Sequence, residues 1–156
     1  MHTSELLLLN AEEVRRRSLK VWRGIPVDRL SWRPDAEAMS CQELVRHVLE
    51  GEYLYMLMVR ARRSVSQDNT PFAGRAYTTI EDEIEFARPY RQEFESLLSS
   101  IPAEDLTAVT IDRPDAGYKR QLGDFLLRVA YHEAVHCGQL LGYLRAMGAD
   151  RPRIWD

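Results

Sequence analysis

RVAYHEAVHCGQLLGYL, residues Arg128 to Leu144, sets two histidines four apart with a glutamate directly after the first. Around them Leu122, Phe125, Val129, His132, His136, Gln139 and Tyr143 recur at alternating threes and fours, the inward seam of a helix packed among other helices. The spacing predicts a helix from Gln121 to Met147, stopped by Gly148. At about 100° per residue, His132 and His136 differ by roughly 40° in direction and one turn in height, so both imidazoles can face one ion.

Read literally, His132-Glu133-Ala134-Val135-His136 is also the H-E-x-x-H string of zinc peptidases. That chemistry needs a further ligand, usually downstream. The position six after His136 is Gly142, and Asp150 lies past the Gly148 stop. The chain also offers no evident sheet edge to hold an extended peptide. The peptidase reading fails on its third ligand, which points upstream. On the second helical segment Leu44, His47, Val48, Gly51, Tyr55 and Met58 form one stripe, and His47 is the one remaining histidine expected inside, since His2 sits at the start of the chain. Gly51, one turn beyond His47, leaves room for a ligand or a close helix contact.

Three further segments carry helical periodicity. The first runs from Ser4 to Arg23 with Leu7, Ala11, Val14, Ser18 and Val21 inward and Glu12, Glu13, Arg15 and Arg16 on a charged outer face; Gly24 and Pro26 end it. A second begins at Ser40, whose hydroxyl and the carboxylate of Glu43 form a capping box, and continues to Arg63. A third opens on the pair Thr78 and Glu81, with Pro89 expected to kink it. The connection from Ser100 to Arg120 includes LTAVTI, β-prone but isolated, where a single short hairpin would not change the fold class. Four apolar-striped helices without a convincing sheet predict an all-α fold, a four-helix bundle with long connecting loops, as a single domain over residues 1–156.

A chain of 156 residues with 45% hydrophobic residues supports one substantial core and not two. A net charge of −3, with arginines scattered among acids, argues against nucleic acid as a partner. The apolar run Leu6–Leu9 is far too short for a signal peptide or a membrane span, so a cytoplasmic protein is expected, with Cys41 and Cys137 as small buried thiols.

Two readings of the histidines stand side by side. Each can be a core residue hydrogen-bonded to a neighbour, or His47, His132 and His136 can share one divalent cation, which would satisfy three buried polar rings at once. Three protein ligands leave open positions, the arrangement of a catalytic site more than a structural one. Glu133, about 60° from His136, is then the candidate catalytic proton carrier, while Glu50 and Glu52 turn away from His47. Gln139 either orients a ligand histidine or bridges helices; Tyr131 and Tyr143 flank the site as packing or as donors to a bound small molecule.

The segment SCQELVRHVLEGEYLY, with its histidine two turns into a helix, and LGDFLLRVAYHEAVHCGQLLGYLRAMG, with its H-x-x-x-H-x-G-Q-L core, resemble the DinB-like family of metal-binding four-helix bundles; LSWRPDAEAMS looks like the family's connector into the second helix. The resemblance covers essentially the whole chain. It implies that His47, His132 and His136 bind a divalent metal ion, nickel or zinc, with positions open to water or substrate. It implies a homodimer formed by helix packing, and a small-molecule substrate, a low-molecular-weight thiol among them, in a transferase, isomerase or hydrolase. A non-catalytic metal-stabilised binding or stress-response module is the rival. The family often has a basic residue where this chain has Cys137, so any role of that base is in doubt here.

Overall fold

The computed structural model describes residues 2–156 and is mostly helical. Four long helices carry it: α1 (Thr3–Arg23), α2 (Cys41–Ala61), α3 (Ile80–Ser100) and, after a single-turn α4 (Asp105–Ala108), α5 (Leu122–Ala146). They pack in a ring in which α1 touches α3 and α5, and α2 touches the same two. Between α4 and α5, overlapping the β-prone LTAVTI, lies an antiparallel pair of strands, β1 (Thr110–Arg113) and β2 (Tyr118–Gln121). None of the helices among the described residues is long and apolar enough to cross a membrane.

The helix starts follow local chemistry. Ser40 accepts from the Glu43 backbone N–H while Glu43 accepts from that of Ser40, the capping box expected from the sequence. The third helix is shifted by one residue from expectation: Thr79, and not Thr78, caps it by accepting from the Asp82 N–H. It runs through Pro89 as one element.

The hairpin joins the two helices that carry the histidines. Beyond the end of α2, Asp112 of β1 donates its N–H to the Arg62 carbonyl and accepts from Ser64 N–H, while Leu122, the first residue of α5, donates to Val109. β2 leads directly into α5, and Ile111 of β1 is wholly buried. The carboxyl end of α2 is thereby tied to the amino end of α5, and the two run antiparallel: His47 meets His136, Gly51 meets His132, and Tyr55 meets Phe125.

The core is two apolar clusters separated by a layer of charge. One cluster gathers Val21, Trp22, Leu44, Val48, Ala87, Leu140 and Leu144; the other gathers Ala11, Met56, Phe94, Leu98, Phe125 and Val129. Between the two sets, each long helix contributes one charged side chain, Arg15, Glu52, Arg91 and Glu133, exposed to only 9, 5, 9 and 4%. Arg15 donates from Nε and Nη2 to both oxygens of Glu133, at 2.8 and 3.0 Å, and from Nη2 to Glu52 at 3.2 Å. Arg91 donates to Glu52 and, at 2.7 Å, to Glu95. Two cations face two anions in this layer, so it carries no net charge. Burial pulls the Arg15 guanidinium down, but the carboxylates of Glu133 and Glu52 outweigh it and hold the pKa above the ordinary arginine value. Burial lifts the Glu52 carboxyl, against the pull of Arg15 and Arg91.

This corrects the placement of Arg15 on a solvent face of the first helix. Arg15→Met keeps the volume but strips Glu133 of its partner, and an uncompensated buried charge of this kind costs about 3–5 kcal/mol. Urea unfolding should show that loss for Arg15→Met, and a midpoint nearly unchanged for Arg16→Met, whose ion pairs with Glu13 and Asp156 are on the surface.

Candidate metal centre

His47 stands on α2, and His132 and His136 stand one turn apart on α5. One ring nitrogen of each lies within 4.8 Å of the others. The ring centroids are 4.9 Å (His47 and His132), 4.8 Å (His47 and His136) and 4.6 Å (His132 and His136) apart, each pair edge to face. The Nε2 atoms of His47 and His132 face each other at 3.0 Å, a contact open to one shared proton or one cation. Two nitrogens each about 2.0–2.1 Å from a common ion stand roughly 3.0–3.4 Å apart, so the donor set fits a divalent metal.

The cluster sits at the edge of the core and not on the seam where the spacing placed it. On α5 Leu122, Phe125, Val129 and Tyr143 of the expected seam are buried, but Glu133, Cys137 and Leu140 are buried in place of His132, His136 and Gln139; on α2 Leu44, Val48 and Met58 are buried, with Leu49, Glu52 and Met56 beside them. The three histidines are half-buried beside these stripes, in the groove where α2 meets α5. The stripe rotates because Glu133 and Glu52 take the inward positions, where Arg15 and Arg91 neutralise them. Glu133, expected to carry protons for the site, has both oxygens bound to Arg15. These bonds join α1 to α5 across the core.

Two neighbours shape the imidazoles. A Cβ at Gly51 would lie 3.1 Å from His132 Cε1, closer than ordinary packing permits, so Gly51 is the recess that receives this ring. Gln139 Oε1 lies 2.9 Å from His136 Nδ1, and Gln139 Nε2 donates to the Tyr143 hydroxyl at 3.1 Å. With its amide so fixed, Gln139 accepts from Nδ1–H, which leaves His136 Nε2 as the free donor atom. Of the two readings for Gln139, the one that orients a histidine is the one found. Cys137 is buried, and burial pushes its thiol pKa up, in keeping with a packing residue.

Electrostatics favour the neutral form of His132 and His47. Burial, then the positive charges that His136 and His47 would carry, push the His132 pKa down to about 4, against the carboxylate of Glu133; burial and His136 also lower His47. A neutral imidazole is the form that binds a metal. A cleft of about 180 Å³ opens beside His132, walled by Tyr55, Arg128, Tyr131 and Val135. Sequence reasoning missed Tyr55 and Arg128 as cleft residues. Arg128 lies one turn before His132 on the same face, a signal visible in the spacing.

A lowered imidazole pKa means the folded chain binds fewer protons than the unfolded one between about pH 4 and the ordinary histidine value near 6.5. The His132 contribution to stability is full above that window and is lost as pH falls through about 4. Ring-nitrogen NMR of the metal-free protein should show His132 neutral at pH 5.5; a midpoint near 6.5 would contradict this placement.

A family model described as the DinB superfamily matches residues 10–140. An uncharacterised protein, YjoA, of Bacillus subtilis strain 168 is 30% identical over 125 residues, which span 80% of this chain and 77% of the relative. The crystal structure of a DinB-like protein, YjoA from Bacillus subtilis, has a TM-score of 0.71 to this fold at 23% identity, with 96% of each chain covered.

Proposed function

We propose, for a chain that belongs to the DinB superfamily, that His47, His132 and His136 hold one divalent metal ion, nickel or zinc, in an enzyme acting on a small molecule. The observation that carries this is the convergence of three ring nitrogens from helices 85 positions apart in sequence, at the open side of a groove with a cleft beside it. On this reading residues 1–156 are one four-helix-bundle domain, cytoplasmic, binding neither membrane nor nucleic acid.

When bound, such an ion supplies Lewis acidity and lowers the pKa of a water or thiol on it. The chain's own residues do the rest. Gly51 admits the His132 ring, Gln139 fixes the His136 tautomer, and Tyr55, Tyr131 and Val135 wall the cleft in which a small molecule, a low-molecular-weight thiol for instance, would lie. Leu127, exposed and apolar on the outer face of α5, suits the packing of a second copy as a homodimer.

The buried charge layer favours an enzyme over a module that the metal merely cross-links. Arg15 already ties Glu52 of α2 to Glu133 of α5, so the fold does not need the ion to join these helices. Elemental analysis of tag-free protein should give about one metal per chain, and a strong loss in His47→Ala and His132→Ala. Chelation should leave the far-ultraviolet circular dichroism unchanged, whereas a structural metal would take the helices with it.

Gly51→Ala tests the recess. Its methyl must displace the His132 ring, and disturbing a ligand's support costs about 10–100-fold in metal affinity. Competition titration with a chelator should show that drop in a variant of normal helicity.

A further inference from the structure

Arg128 has a feature that neither the fold nor the histidine cluster uses. Four arginines, Arg17, Arg75, Arg120 and Arg128, bury Nε without a hydrogen-bond acceptor. Three of them spend their terminal nitrogens on carboxylates: Arg17 on Glu13, Arg75 on Asp82, Arg120 on Asp124. Arg128 makes no ion pair among the described residues. Asp124, one turn before it on α5, is the carboxylate it would be expected to take, and that group is held by Arg120 at 2.6 Å.

The surroundings of Tyr118 sharpen the contrast. Three guanidinium groups gather on its ring, from Arg113, Arg120 and Arg128, at 5.7, 5.2 and 4.8 Å from the centroid. Arg113 is neutralised by Asp115 and Arg120 by Asp124. Arg128 approaches the ring most closely, half-buried and unpaired. Contact with the ring takes up none of the guanidinium's hydrogen bonds; Nε is buried, and the edge formed by the two terminal nitrogens is the one left to bind a carboxylate with two parallel hydrogen bonds. Tyr118 thus holds Arg128 in place without consuming its hydrogen bonds.

The side chain lines the cleft beside His132. Four residues of helix separate the two positions, about 6 Å along the axis. Tyr55, Tyr131 and Val135 supply the remaining walls, and no carboxylate lines the cleft to compete for the cation.

We infer that Arg128 is the specificity residue of this cleft, and that the molecule it selects carries a carboxylate apart from the atom that meets the three-histidine centre. The inference rests on the metal-centre reading for the second half of that description and on Arg128 alone for the first. A cleft of about 180 Å³ limits the selected part to a short chain. A lysine here would be a poorer fit, because it lacks the planar fork and the face that stacks on Tyr118.

The probes are succinate and its monoamide succinamate, of nearly equal size and differing in one carboxylate. On protein loaded with nickel, with metal content measured for every variant, calorimetry should show succinate binding about tenfold more tightly than succinamate, as befits one added charge-assisted contact. Arg128→Gln should bring the ratio to near one at unchanged metal content and unchanged helicity, and Arg128→Lys should keep only part of the preference. A second arm uses metal-free protein: succinate should shift the Arg128 side-chain Nε–H signal saturably, and succinamate more weakly. Equal binding of the two probes to the wild type, or a preference that survives in Arg128→Gln, overturns the proposal. Protein that retains no nickel overturns the three-histidine reading instead, and the metal-free arm then decides the matter: without a saturable succinate shift at Arg128 the proposal falls.

Discussion

The interaction on which the rest of this molecule depends is the buried guanidinium of Arg15, shared between Glu133 on α5 and Glu52 on α2. Each of these carboxylates is the chain neighbour of a residue in the groove: Glu133 follows His132, and Glu52 follows Gly51. His132 lies in the recess that Gly51 leaves. One cation in the core therefore fixes the height at which the two helices pass each other, and with it the fit of ring into recess. A purely apolar layer would cost less desolvation but would allow neighbouring registers, whereas a charged layer must align or leave buried charges unpaired. The same layer turns α2 and α5 so that their histidines reach the groove instead of the core.

The edge position has chemical consequences. Burial lowers the pKa of His132 and His47 below the ordinary histidine range, while His132 still lines the cleft. The hairpin contributes from one end of the helices: it pins the carboxyl end of α2 to the amino end of α5 and presents Tyr118 as the surface against which Arg128 rests. Gln139 and Tyr143 hold the other end of the groove by fixing the His136 tautomer. The three histidines, their supporting residues and the cleft all lie along one groove between two antiparallel helices.

Much of this was legible in residue spacing, for identifiable reasons. The period of apolar residues and the Ser40–Glu43 box are local signals, and they placed the long helices to within a few residues. His132 and His136 are four apart on one helix, and His47 followed from the demand for a third ligand. The rest required contacts between distant parts of the chain. Arg15 reads as a surface residue beside Glu12, Glu13 and Arg16, and Glu133 as a base beside two histidines, because charged residues are seldom fully buried without partners and the partners are remote in sequence. Inward-facing charges then shift the buried stripe by one position, which moves the histidines from the seam to its edge. The hairpin shows in the sequence only as the β-prone LTAVTI, because two four-residue strands separated by a turn become stable only by packing Ile111 against the helices. Thr78 with Glu81 completes a capping box by sequence, yet it is Thr79 that caps the helix by accepting from the Asp82 N–H.

The claim at the centre of this account is that one ion is held by imidazoles from both helices at once. Anomalous diffraction from crystals of the nickel-loaded protein, collected above and below the nickel edge, tests it most directly. The account predicts a single strong peak in the groove between α2 and α5, about 2.1 Å from a ring nitrogen of each of His47, His132 and His136. A peak bound only by the α5 pair with the His47 ring turned away, or an ion sited elsewhere on the surface, would contradict it.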